Sequence, residues 1–398
     1  MLLGNLDLKK VGNRLRRLDR FLLDVYKERL AHGGLSDYVA QNKRKASPDG
    51  IFNKRRQEIE ESRIRLARKW AEQNGIDPNF AASLMYQTIS ESCRVQDEMM
   101  FKKHRSKEVV VDENSLKAIR AFQKEDLLRL TSKVAGFYDK SYAEGFFGTR
   151  LYMDFEKEVL YGLMANLQNK LLAVDLGCAT GVVSLDIATQ FEKVVGLDIS
   201  PEMIEVAKKK ITNRTANAKF KVADIEDGVN IPKNSISLAI MNMGTASEIE
   251  NFKGFLKWLK RSLRPDGKFL LSFYNSESLM TKLGFLPWPV PLAAHIDLDK
   301  RCLEVHYNGE IYFLYARPRG VEEIKKLLSE SGFEIDKIYT FPTCASVLPD
   351  IVLDNEDDSG VRQPNKEAQN LVKKIDSELA ESVNSGTYII VTGGKVVK

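Results

Sequence analysis

The run Val174-Asp175-Leu176-Gly177-Cys178-Ala179-Thr180-Gly181 ends an apolar stretch, and a helical pattern begins just after it. Glycine at 177 and 181 lets the backbone turn tightly and approach a ligand where a side chain would block it. About twenty residues on, a second apolar stretch ends in Gly196-Leu197-Asp198. An acid at that place can accept hydrogen bonds from both ribose hydroxyls of an adenosine. Alone, either feature also fits a dinucleotide-binding enzyme. Two details separate the cases. The loop reads Asp-x-Gly-x-x-x-Gly rather than GxGxxG, and the acid is followed by Ile199-Ser200-Pro201-Glu202-Met203-Ile204-Glu205-Val206-Ala207.

Outward from this loop, apolar strand-like runs at 171–176, 193–197, 219–223, 236–241 and 268–273 alternate with helical segments. Such alternation predicts a parallel sheet with helices on both faces. An insertion (about 275–316), a helix over 321–331, a strand near 335–340 and a last strand at 387–392 follow. The acidic run Asp354-Asn355-Glu356-Asp357-Asp358 reads as a solvated surface loop.

The loop and the helix start after Asp198 together resemble the class I S-adenosylmethionine-dependent methyltransferases, whose motifs read D-L-G-x-G-x-G and D-x-S-x-x-M-I-x-x-A. The resemblance covers about 140–398, with Ala179 in place of the usual middle glycine. It implies a Rossmann-like α/β fold and S-adenosyl-L-methionine as cofactor. By the same resemblance, Asp175, Gly177, Ala179 and Gly181 shape the pocket for the cofactor's amino-acid end. Asp198, with Ile199 after it, holds the ribose. Asp224 faces the adenine amino group, with Ile225 beside the ring. Met241-Asn242-Met243-Gly244 lies at the mouth where donor meets acceptor, and Phe137-Tyr138-Asp139-Lys140-Ser141-Tyr142 resembles the family's lid. His295, His306, Tyr274 and Asp297 lie in or beside the insertion that usually shapes the acceptor pocket, and the sequence picks none of them as a base.

Bulk properties bound the rest. A chain of 398 residues is long for one core, so two domains are expected. A net charge of +5 is a mild bias and does not call for nucleic acid, which needs a concentrated basic face. Cys93, Cys178, Cys302 and Cys344 lie far apart without a CxxC pair or a histidine at metal-ligand spacing. That argues against a disulfide framework and a metal site, and suits a reducing cytoplasm. No apolar run approaches the length of a membrane span.

Residues 1–105 read as an all-α domain, 106–135 as a helical connector, and 136–398 as the α/β domain. Leu15, Leu18, Leu22, Val25 and Arg29 share one helical face, a second helix runs from about 53 to 73, and a third starts at Asp77-Pro78 after the stop Asn74-Gly75. Arg29, Ser92 and Gln96 stand where a bundle wants apolar residues, and an arginine buried there needs an anion. The runs Arg17-Leu18-Asp19-Arg20-Phe21-Leu22-Leu23, Glu28-Arg29, Gly75-Ile76-Asp77-Pro78-Asn79-Phe80 and Ile89-Ser90-Glu91-Ser92-Cys93-Arg94-Val95-Gln96 resemble the all-helical chorismate mutases. That resemblance implies a dimeric domain whose catalytic residues are Arg29 toward a substrate carboxylate, Lys43 toward the ether oxygen, and Ser92 and Gln96 at the end of the site. The family's arginine near the start of the first helix falls on Gly12 here, with Arg16 one turn later.

The combined expectation is a methyltransferase acting on a small molecule, chorismate- or prephenate-derived, whose helical domain either converts chorismate to prephenate or binds a related shikimate-branch carboxylate. Two alternatives stand beside it: a helical domain that only dimerises or senses, and an RNA methyltransferase with a basic helical appendage. Carboxy-S-adenosylmethionine synthases, which use prephenate, resemble the same fold.

Overall fold

The computed structural model describes residues 54–73, several positions between 75 and 85 and, apart from short gaps, residues 113–396. Contacts divide the chain into two units, Met1–Asp112 and Glu113–Lys398. In the first, helix α1 (Lys54–Gln73) occupies the span expected for the second helix. It stops at Gly75, whose φ of +67° is open to glycine, and the Ile76 N–H closes back on the Ala71 carbonyl at 2.9 Å. Positions 78, 81, 82, 84 and 85 are again helical. Arg29, Lys43, Ser92 and Gln96 lie outside the described residues.

The second unit opens with three helices, α2 (Glu113–Val134), α3 (Tyr138–Ala143) and α4 (Phe147–Ala165). The expected alternation follows: β1 (Leu172–Leu176), α5 (Val182–Ile187), β2 (Lys193–Asp198), α6 (Pro201–Lys209), β3 (Ala218–Val222), β4 (Ile236–Met241), α7 (Phe252–Ser262) and β5 (Leu263–Tyr274). Local chemistry sets these boundaries. Ser200 caps α6 by accepting from the Met203 N–H at 3.3 Å, with Pro201 in the first turn. Asn251 does the same for α7 toward Gly254 at 3.0 Å.

The insertion after β5 was expected only as pocket-shaping chain. It forms α8 (Leu279–Lys282) and a four-stranded antiparallel sheet of β6 (Phe285–Leu286), β7 (Ala293–Asp297), β8 (Cys302–Tyr307) and β9 (Glu310–Tyr315). Helix α2 packs on this sheet. Asp126 accepts from the Phe313 N–H at 2.8 Å, and the Arg120 and Arg129 guanidinium groups lie 4.0 and 4.7 Å from the Tyr315 and Tyr312 ring centres. Residues 113–134 of the expected connector are thus a helix packed within the α/β unit, while 106–112 lie outside the described residues.

The chain ends with α9 (Val321–Glu330), β10 (Phe333–Phe341), the hairpin β11 (Asp354–Glu356) and β12 (Arg362–Pro364), α10 (Lys366–Leu379) and β13 (Tyr388–Lys395). The acidic run expected as a loop therefore begins as a strand paired with Arg362–Pro364. The large sheet has the order β10-β13-β5-β4-β1-β2-β3. Strands β1 to β5 pair in parallel as expected, but β13 runs antiparallel to both β5 and β10. The reason is where the chain re-enters: β13 begins at Tyr388, beside the last residue of β10, Phe341, so it must run back.

Alternation along the strands splits the core. Val174, Leu176, Leu197, Met241, Leu271 and Phe273 face α7 and α9 in one buried cluster. Ala173, Val194, Leu238, Ile240, Leu270 and Tyr274 face the other way, with α4, α5 and α6. No helix among the described residues is long and apolar enough to cross a membrane.

The crossing from β10 to β13 is pinned by Asp376 of α10, 1% exposed. Its carboxylate accepts from the N–H groups of Thr343, Cys344 and Ala345 at 3.0, 2.6 and 2.9 Å. Orphaning a buried N–H costs about 1 kcal/mol or more. Asp376→Ala is therefore expected to destabilise this unit by about 3 kcal/mol, read as a lower thermal midpoint, and Asp376→Asn by less. An unchanged midpoint for the alanine variant would remove the anchor from the account.

Candidate functional site

The glycine loop crosses from β1 to α5 with Gly177, Ala179 and Gly181 at φ of +76°, +45° and +78°. For Ala179, the alanine at the usual glycine position, this left-handed conformation costs roughly 1–2 kcal/mol. The strain is held by Asp198: one carboxylate oxygen accepts from the Ala179 N–H at 2.8 Å and the other from the Ser200 N–H at 2.9 Å. The Gly177 and Cys178 N–H groups close on the Leu197 carbonyl at 2.8 and 2.9 Å. A Cβ at Gly177 would stand 2.8 Å from the Thr245 methyl, and one at Gly181 would stand 2.6 Å from the Phe220 ring. The loop is a cradle that side chains would fill.

Inside it, Asp175 is 1% exposed. One of its oxygens accepts from the Ser184 hydroxyl at 2.6 Å, and the other has no hydrogen-bond partner. Burial pushes its carboxyl up to about 6. An orphaned buried carboxylate oxygen needs a donor or a cation. Burial likewise raises Asp198, against three backbone N–H groups that favour its charged form.

Two further acids stand behind the loop. Glu156 of α4 accepts from the Tyr152 hydroxyl at 2.8 Å and the Met243 N–H at 3.1 Å, and burial raises it to about 7. Glu248, on the loop after β4, accepts from the Tyr274 hydroxyl at 2.6 Å and is also raised by burial to about 7. The four are electrostatically linked: Asp175 raises Glu156, and Asp198 raises both Asp175 and Glu248. The cations near the loop are engaged elsewhere, Lys210 by Asp139 and Lys124 by Asp224. Asp139 belongs to the lid-like stretch. It bonds the Thr180 hydroxyl and the Lys210 ammonium, and Lys210 also donates to the Thr180 carbonyl at 3.0 Å, so α3 is latched to the glycine loop.

Other expected residues fall as follows. Asp224 is ion-paired with Lys124 of α2 and accepts from the Glu226 N–H at 2.9 Å. Ile225 is half-buried against the α7 side of the core. Met241 needs correcting: its side chain is wholly buried among residues facing α7, because strand alternation turns it from the mouth. Met243, at φ +53°, is the methionine that stays partly exposed there. His295, Asp297 and His306 sit on the four-stranded sheet, His306 bonded to Glu304 at 2.5 Å, and only Tyr274 joins the acidic cluster. Sequence reasoning missed Glu156, Glu248, Tyr152 and Tyr388. Tyr152 and Glu156 are four apart on one helix face, a spacing shared with any amphipathic helix.

Residues 173–267 match the family model described as a methyltransferase domain. Phosphoethanolamine N-methyltransferase 1 of Arabidopsis thaliana is 31% identical over 142 residues, 34% of this chain and 27% of that protein. The ubiquinone/menaquinone biosynthesis C-methyltransferase UbiE of Citrifermentans bemidjiense is 28% identical over 111 residues, 27% of this chain and 46% of that protein. The chain thus spans less than half the length of these two relatives. Among solved structures, an S-adenosylmethionine-dependent methyltransferase from Clostridium acetobutylicum is 15% identical with a TM-score of 0.44, covering 62% of this chain and 92% of that one. Residues 173–267, within the Glu113–Lys398 unit, are thus similar to a methyltransferase domain, and S-adenosyl-L-methionine is the expected cofactor.

Gly177→Ala combines a left-handed φ with a clash on Thr245. It is expected to weaken S-adenosylhomocysteine binding by about tenfold or more, the equivalent of about 1.4 kcal/mol. Calorimetric titration checks this, and unaltered affinity would mean the loop does not touch the ligand.

Proposed function

We propose that the Glu113–Lys398 unit transfers the methyl group of S-adenosyl-L-methionine to a small-molecule acceptor. The observation that carries this reading is a left-handed glycine loop ringed by Asp175, Asp198, Glu156 and Glu248, none of them ion-paired to lysine or arginine among the described residues. Carboxylates so placed would repel a dinucleotide's pyrophosphate. They suit a cofactor carrying a sulfonium and an ammonium. Asp175, Gly177, Ala179 and Gly181 would hold the amino-acid end, with the free Asp175 oxygen toward the ammonium. Asp198, already accepting from three backbone N–H groups, would keep one lone pair for a ribose hydroxyl, beside Ile199. Asp224 and Ile225 would meet the adenine, with Lys124 as counter-ion.

When bound, the sulfonium supplies a methyl group already activated for transfer. The chain's part is then to align the acceptor in line and exclude water. Helix α3, latched through Asp139, covers the loop, and Met243 and Gly244 stand at the mouth.

The N-terminal stretch supports a second, finer reading. Its resemblance to the helical chorismate mutases proposes a dimeric domain in which Arg29, Lys43, Ser92 and Gln96 bind chorismate or a related carboxylate. Full-length protein that leaves chorismate unconsumed and binds no prephenate would reduce that domain to a dimerisation or sensor module.

The raised acids give the cofactor site a pH signature. Their folded-state pKa values, about 6 for Asp175 and about 7 for Glu156 and Glu248, lie above the ordinary values. Without ligand, this contribution to stability is complete below the ordinary carboxylate range and is lost as pH rises toward 7. A bound cation favours the charged forms. Cofactor binding should therefore release protons between about pH 5 and 7, with affinity rising up to about tenfold per pH unit for each proton released. Titration calorimetry in buffers of different ionisation enthalpy measures that number, and a value of zero would contradict the assignment.

A further inference from the structure

We propose that the acceptor is an amine, bound as its ammonium at the partly exposed edge of a tyrosine–carboxylate cluster at the carboxyl end of β5, with Glu248 positioned to take its proton. The inference rests on the methyltransferase reading and names that site's acceptor class.

The cluster comes from four parts of the chain. Tyr274 ends β5 and pairs in register with Tyr388, which opens β13, their ring centres 5.9 Å apart. Tyr152 of α4 stacks behind Tyr388 at 4.0 Å. Helix α3 brings Tyr138 and Tyr142, 4.8 Å apart. The loop after β4 presses on this group, since a Cβ at Gly244 would stand 2.2 Å from the Tyr274 ring. The Tyr142 and Tyr388 hydroxyls both feel the charges of Glu156 and Glu248, and Tyr138 feels Glu248 and Asp198. The tyrosines of α3, those of the sheet and both acids therefore belong to one electrostatic cluster. Tyr274, Tyr388 and Tyr152 are buried floor at 2%, 2% and 0% exposure. Tyr138, Tyr142, Met243 and Glu248 remain partly exposed and form the rim.

Chemistry narrows the class. Ring faces and carboxylates attract a cation and repel a carboxylate or phosphate placed at the reacting atom. An aliphatic alcohol is too weak an acid for a carboxylate to deprotonate, whereas an alkylammonium, like lysine at roughly 10.4, lies within about three to four units of Glu248. The ammonium N–H passes its proton to Glu248 and frees the nitrogen lone pair. That pair forms the N–CH3 bond as the S–CH3 bond breaks, and the bond's electrons stay on sulfur. The products are S-adenosylhomocysteine and a methylated ammonium, and Glu248 returns its proton to water. Tyr274, bonded to Glu248, is a positioning residue.

The test uses the full chain saturated with S-adenosylhomocysteine, titrated with choline and with 3,3-dimethyl-1-butanol, its uncharged carbon isostere. Choline is expected to bind at least tenfold tighter, with affinity rising through a midpoint near pH 7. Tyr142→Leu should weaken choline about tenfold. Glu248→Gln should do the same and abolish the pH midpoint, and Tyr142→Leu should keep S-adenosylhomocysteine affinity within twofold of the parent. Equal affinity for the two probes, or choline binding indifferent to both substitutions, would overturn the amine assignment. A parent protein that does not bind S-adenosylhomocysteine would instead overturn the methyltransferase reading.

Discussion

The hydrogen bonds from Asp198 to the Ala179 and Ser200 N–H groups are the constraint on which the site depends. They tie the end of β2 to the loop leaving β1 and hold three nearby residues at positive φ. Ala179 in that conformation costs roughly 1–2 kcal/mol, while a hydrogen bond to a charged group contributes about 1.5–3 kcal/mol. The bond therefore offsets the strain. The Ile199 N–H also favours the charged form of the same acid, so one carboxylate gathers three backbone donors at the cradle.

The electrostatics around that cradle run against stability and toward binding. Asp175, Glu156 and Glu248 are each raised mainly by burial, and each charged acid makes its neighbour harder to ionise. A fold selected only for stability would place apolar side chains here or supply a basic partner. Instead Tyr152, Tyr274 and Ser184 donate single hydrogen bonds, and Lys210 and Lys124 are held by other acids. The arrangement leaves a demand for positive charge, which a sulfonium cofactor and an ammonium acceptor would satisfy.

The additions to the central sheet frame this site. The β6–β9 sheet carries α2, whose Lys124 meets Asp224 at the end expected for adenine. Antiparallel β13 brings Tyr388 beside Tyr274, and α10 fixes the crossing through Asp376. Each addition thus connects to a residue of the proposed site.

The sequence by itself determined what is local. Glycine spacing, the acid at the end of β2, the Ser200-Pro201 helix start and the spans of β1 to β4 all follow from contacts within a few residues, and the structure places them within a residue or two of expectation. Tertiary structure alone decided the rest. Strand parity sent Met241 into the core and left Met243 at the mouth. The direction of β13 and the sheet within 275–316 depend on which edges were left to pair. Tyr152 meets Ser272 across 120 positions, and Glu248 gathers with Tyr142 and Tyr388 from far along the chain. No periodicity encodes such meetings, because they arise only when distant segments share one end of the sheet.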